Sequence, residues 1–186
     1  MDLYKFEYKR MKPQEQLPLH RQDTWELTYI VFGRGKRVLG DSETDFAEGN
    51  LVFIPPHIPH CWKFDEDYVD VDQCIAHYTL SFKTEFIDRC LTAFPELTER
   101  LEALKSVSSV LSFDEATTSD IAEMLNRMAS ESESELLPYV FRLLLLLSKR
   151  ESEATVVGRF SDTDRTSERV KKVKAVSYTH LRAHET

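Results

Sequence analysis

The sequence is short of glycine and cysteine, and it holds no long apolar run. Five glycines and seven prolines among 186 residues exclude a collagen-like or low-complexity chain. The three cysteines, Cys61, Cys74 and Cys90, are odd in number, widely spaced and without a CxxC pair. That pattern argues against a disulfide framework and points to a reducing cytoplasm. The longest apolar run, Leu143 to Leu147, has five residues, against the roughly 20 needed to cross a bilayer, so no membrane contact is expected. The opening MDLYKFEYKR has no apolar core, and no signal peptide is expected from it. Positive charge is also scarce. The net charge is -8, whereas a free-standing nucleic-acid binder usually presents a basic face.

What is present fits one domain of ordinary size, with 41% hydrophobic and 30% charged residues. The charge is uneven. The first 158 residues carry -11 and the stretch from Arg159 onward carries +3, an acidic body with a short basic end.

The first half reads as strands. Tyr4, Phe6 and Tyr8 alternate with charged residues, and WELTYIVF (25–32) is rich in aromatic and β-branched side chains before Gly33 and Gly35. Residues 36–39, 46–47, 51–54, 60–64 and 73–82 complete the set. Short strands with turn signals every few residues predict a sandwich or barrel. The second half changes period. Phe86, Ile87, Cys90 and Leu91 share a helical face, Pro95 opens the next helix, and Ile121, Met124, Leu125 and Met128 follow the i, i+3, i+4, i+7 template. Residues 132–150 form the strongest helix, acidic in its first turn and basic in its last, with Pro138 near the start. Its apolar stripe is too wide for a helix with one solvated face. It is either buried within the monomer or shared between the β-domain and a partner subunit.

The most specific stretch is Gly49 to His60, GNLVFIPPHIPH. It resembles the second conserved motif of the cupins, a glycine, a proline after five residues, and a histidine five further on. The family usually has glycine where His57 stands. The first cupin motif, His-x-His followed by glutamate, falls on His20, Gln22 and Glu26, with glutamine in place of the second histidine. His20, Gln22, Glu26 and His60 then admit three readings. They hold a divalent metal, they contact a small polar ligand, or they line the barrel bonded to one another and to water. Strand alternation turns Trp62 and Phe64 inward with His60, and Thr28, Ile30 and Phe32 inward with Glu26. His77, on the same face as Thr79 and Ser81, either joins this pocket or is a satisfied polar residue of the strand.

The order of parts resembles the sensor and dimerisation domain of AraC-type transcription regulators. The resemblance rests on residues 20–26, 26–35 and 49–60, on Leu80-Ser-Phe82 and on Phe94-Pro-Glu-Leu97. It implies a β+α fold, with a cupin or jelly-roll barrel over about 4–82 and a helical dimerisation segment over 83–152. A linker would follow over 153–167. Residues 168–174 resemble the beginning of a helix-turn-helix domain whose remainder is missing. The last stretch, 175–186, resembles an adapter-derived, non-native tail, and its His180 and His184 are not read as a metal site.

The resemblance further implies a small-molecule effector, with a sugar as the example. That effector would be bound by His20, Gln22, Glu26, His60, Trp62 and His77 under an amino-terminal arm of residues 1–18. It implies a homodimer through the leucine-rich helices of 121–150, and DNA contact only through the missing domain. No catalytic role and no cofactor are expected, with the metal reading of His20, Gln22, Glu26 and His60 as the alternative. The rivals are a metal-dependent cupin enzyme, of sugar isomerase or dioxygenase type, and a barrel packed shut.

Overall fold

The computed structural model describes residues 2–160. The alternating segments become strands β1 (Tyr4–Met11), β2 (Trp25–Phe32), β3 (Gly35–Leu39), β4 (Ser42–Phe46), β5 (Leu51–Ile54), β6 (His60–Phe64) and β7 (Ile75–Phe82). The helices are α1 (Thr84–Ala93), α2 (Thr98–Lys105), α3 (Glu115–Met128) and α4 (Leu136–Arg150). Two further strands, β8 (Val110–Ser112) and β9 (Thr155–Gly158), come from the second half. A six-stranded antiparallel sheet runs in the order β1-β7-β2-β5-β8-β9, and a three-stranded sheet in the order β4-β3-β6. The fold is β+α, two sheets facing each other across a barrel interior with helices packed outside.

Strand alternation decides which side each residue serves. Trp25, Leu27, Tyr78, Leu80 and Phe82 project from the large sheet onto α1–α4 and form the main core with Leu101, Leu125, Val140 and Leu144. Trp25 Nε1 donates to Thr84 Oγ1 at 3.0 Å and ties the start of α1 to the sheet. On α3, the Asp114 side chain accepts from Thr117 N, capping the first turn. The opposite face of the same strands closes the barrel. One end is filled by Leu39, Val52, Ile54, Ile58 and Val110, the other by Ile30, Phe46, Phe64 and Ile75, and Trp62 packs against both.

Several boundaries differ from the sequence reading. Residues 110–112 and 155–158 belong to the large sheet, so the barrel is not confined to 4–82, and the stretch read as linker from 153 begins with a strand. A three-residue strand carries too little pattern to register, and Thr155-Val-Val sits among charged residues. β4 extends back to Ser42 because its polar side chains face solvent. β7 starts at Ile75, because Gln73 is in the left-handed conformation at φ 63° and its N–H closes a turn on Asp70 O. In α4, Leu136, Val140, Leu143, Leu144 and Leu147 are buried while Leu137 is 49% exposed. Most of the wide stripe is therefore used inside the monomer. The readings of 168–174, of 175–186, and of His180 and His184 lie outside the described residues, as does the linker beyond residue 160.

Candidate functional site

The turn after β5 places the site. Pro55 and Pro56 end the strand, and His57 takes φ 67°. That is the left-handed region glycine occupies most easily, which accounts physically for the glycine at this point of the motif. His57 N donates to Gln22 O at 2.7 Å. Past Pro59, His60 pairs with His20 through two backbone bonds, His60 N to His20 O at 2.8 Å and His20 N to His60 O at 3.2 Å. This bridge brings both motifs together although they lie forty residues apart in the chain.

Glu26 is the centre of the polar cluster. It is 7% exposed. Its Oε2 accepts from Gln22 Nε2 at 2.6 Å, and its Oε1 accepts from Thr28 Oγ1 at 2.7 Å. His60 Nε2 stands 3.6 Å from Oε2, an ion-pair distance too long for a hydrogen bond, and has no other partner among the described residues. Burial alone raises the Glu26 carboxyl pKa, but the attraction of His60 and the bonds from Thr28 and Gln22 outweigh it and lower it to about 2. Burial likewise lowers the pKa of His60, while Glu26 and the Ile58 carbonyl raise it by more, so the net shift is upward.

Both imidazoles are oriented by the backbone. His60 Nδ1 donates to Ile58 O at 2.8 Å, and His20 Nδ1 donates to Pro18 O at 2.9 Å. That leaves His60 Nε2 facing Glu26, and the ligating atoms of His20, Glu26 and His60 lie within 4.8 Å of one another. Ligands on one divalent ion, bonded at about 2.0–2.2 Å, stand at most about 4.4 Å apart. Three ligands of a tetrahedral ion stand closer together than that, so the trio would have to draw in to hold one, and a backbone-bonded Nδ1–H is the usual support of a metal-binding histidine. Gln22 gives its amide N–H to Glu26, so only its Oε1, a weaker ligand than an imidazole, would be left for an ion.

Beside the cluster lies a cavity of about 130 Å³. Glu26, Gln22 and His20 form one wall, His77, Thr79 and Ser81 another, and Trp62 and Phe64 contribute an apolar side. Of the six residues expected to contact a ligand, five line it and His60 does not. His60 sits behind the wall against the His20 ring, centroids 4.5 Å apart. His77 Nδ1 is 3.1 Å from Thr79 Oγ1, and burial, aided by Lys9, pushes its pKa down to about 4. Phe32, expected inward, instead stacks on Tyr68 at 5.4 Å, because a bulge after Ile30 breaks the alternation.

Glu7, Lys9 and Met11 of β1, and Gln16 and Leu17 beyond it, also line the cavity; they lie in the segment expected to cover it, but the sequence does not single them out. The alternation of β1 was visible, but not which neighbour it would pair with. The expected arm is thus a paired strand for residues 4–11, and only the segment after it crosses the cavity, with Gln16 Oε1 accepting from Phe64 N at 3.0 Å.

Residues 8–71 match the family model described as a cupin domain. The fold is that of a β+α cupin or jelly-roll barrel. Several solved structures are similar to parts of this chain. A cupin 2 conserved barrel protein from Rhodopseudomonas palustris aligns at 24% identity over 43% of this chain and 52% of that one, with TM-score 0.34. An oxalate decarboxylase from Bacillus subtilis aligns at 19% identity over 43% and 21%, with TM-score 0.35. The AraC-like transcriptional activator CuxR aligns at 15% identity over 88% of this chain and 53% of that one, with TM-score 0.49. The chain spans about half or less of each of these three. No curated protein matches it in sequence. Among the described residues no helix is long and apolar enough to cross a membrane.

Proposed function

We propose that this cupin domain is the small-molecule-sensing and dimerisation part of an AraC-type transcription regulator, acting in the cytoplasm and without catalysis of its own. The observation that carries the reading is the cavity against Glu26. Both carboxylate oxygens are held by Gln22 and Thr28, which makes Glu26 a fixed wall of a binding site. Hydroxyl, amide and imidazole groups face an apolar side formed by Trp62 and Phe64, the usual make-up of a ligand pocket. A cavity of about 150 Å³ takes benzene, so this one suits a compact polar metabolite of about that size, such as a short hydroxy acid.

Dimerisation is proposed through the outer side of α4. Leu137 is exposed, Phe141 is half-buried, and Phe94 packs at a tilt against Phe141 with centroids 5.3 Å apart. Leu144, on the opposite side, is buried in the core. Contact with DNA belongs to a domain outside this chain.

Thermal shift against a panel of small sugars and carboxylic acids tests the sensor reading, since a ligand stabilises the native state by mass action. We expect at least one compound to raise Tm in the wild type and to lose that effect in Ser81→Phe, which fills the cavity. A panel without any hit up to millimolar concentration would count against the reading.

A second reading has its own support. His20, Glu26 and His60 offer ligating atoms within 4.8 Å of one another, a set that could draw in around a divalent ion, which when bound would supply Lewis-acid polarisation. It predicts near-stoichiometric iron, manganese or zinc in the purified protein, lost in His60→Ala.

A further inference from the structure

The residue after β9, Arg159, is bonded to the turn after β3, and that turn is held by the segment that carries His60. Leu39 of β3 pairs with His60. The next residue, Gly40, donates its N–H to Pro59 O at 2.8 Å. Asp41 then forms a reciprocal pair with Arg159. Its N–H donates to Arg159 O at 2.7 Å, and its Oδ1 accepts from Arg159 N at 2.9 Å.

The fit is close enough to require glycine on both sides. A Cβ on Gly40, at φ 60°, would lie 2.1 Å from Arg159 O, and one on Gly158 would lie 2.2 Å from Leu39 O. A packed route runs parallel to this backbone relay. Trp62, a wall of the cavity, packs on the Leu39, Ile54 and Ile58 cluster, and so do Val157 and Phe160.

We propose that residues 155–160 are a latch whose docking on the Gly40–Asp41 turn is coupled to occupancy of the cavity. A ligand pressed against Trp62 and His20 steadies β6 and the turn that β6 holds, and so keeps the latch closed. An empty cavity lets it open more often. The chain beyond Phe160 thereby receives the signal through a contact at its exit point. The proposal rests on the reading of the cavity as a ligand site. Coupling of this kind is reciprocal, so opening the latch must weaken binding by the factor by which binding protects the latch.

The experiment is amide hydrogen exchange on the full chain, with β2 and β7 as internal reference. Asp41→Ala is expected to raise exchange over residues 155–160 about tenfold while β2 and β7 stay unchanged. Equal loss of protection in all of them would overturn the idea of a separate latch. Zinc chloride then serves as probe of the site. Zinc should slow exchange over 155–160 in the wild type, and equilibrium dialysis should show weaker zinc binding by Asp41→Ala. Bound zinc with unchanged exchange at 155–160 overturns the coupling. If zinc does not bind, the metal reading alone fails and Trp62→Phe decides. Altered exchange confined to 155–160 supports the latch, and none removes it.

Discussion

The two faces of the six-stranded sheet are made by the same strands and are put to different uses. On β7, Tyr78, Leu80 and Phe82 face the helices, while His77, Thr79 and Ser81 face the cavity. On β2, Trp25 and Leu27 face the helices, while Glu26 and Thr28 face inward. The helical side is apolar and packed against four helices, so it can bear the stability of the domain. The barrel side tolerates buried polar groups because they satisfy one another. A domain that must keep a cavity open gains from placing its main core elsewhere.

Substitutions on the two faces should separate these duties. Phe53→Ala, at a fully buried position of the helical side, should cost about 3–5 kcal/mol in denaturant unfolding and leave ligand specificity alone. A loss below 1 kcal/mol would mean that this face is not the main core. On the barrel side, Glu26→Gln should cost less, about 1–3 kcal/mol, by weakening a buried polar network. It should also drop the His60 midpoint below the ordinary histidine value in an NMR titration, since burial then acts without the carboxylate. A His60 midpoint that stays raised would show that Glu26 is not its partner.

The pH dependence sharpens the contrast within the barrel. His77 has a folded pKa of about 4 against an ordinary 6.5, so the unfolded chain binds protons more readily. Stability is full above pH 6.5 and is lost as pH falls toward 4. His77→Gln should therefore flatten this acid limb, seen as closer urea midpoints at pH 7 and pH 4.5. His60 has the opposite sign. Its pKa is raised, so its contribution is full below pH 6.5 and is lost as pH rises through the folded value. The smallest effect is expected from Leu137→Asp, within about 0.5 kcal/mol for an exposed site. Sedimentation should nevertheless show a dimer of the wild type converted to monomer.

Much of this was legible in the sequence, and the exceptions have common physical causes. Apolar runs rich in β-branched and aromatic residues found β2 and β5, which are buried on both faces, alternation found β6 and most of β7, and the 3.6 period found the helices, which bury one face. The spacing of Gly49, Pro55 and His60 and of His20, Gln22 and Glu26 marked the cluster that the His20–His60 bridge assembles. What escaped depends on pairing between distant segments. β8 is too short to show a pattern, β9 lies in a charged context, and the bulge that redirects Phe32 exists only against β7. That His60 stands behind Glu26 rather than on the cavity wall is likewise a matter of tertiary placement, invisible to alternation.

The clasp between Asp41 and Arg159 joins residues 118 apart in sequence, and this has a consequence for synthesis. A chain emerging at about 5–20 residues per second will have exposed β1–β7 for several seconds before β9 exists. During that interval β8 has no outer neighbour, and the barrel turn at Gly40 lacks its cover. Closure of long loops is slow in any case, and an unpaired edge invites pairing with other chains. Shortened versions ending before Thr155 should accordingly aggregate during expression even though every residue of the cavity is present.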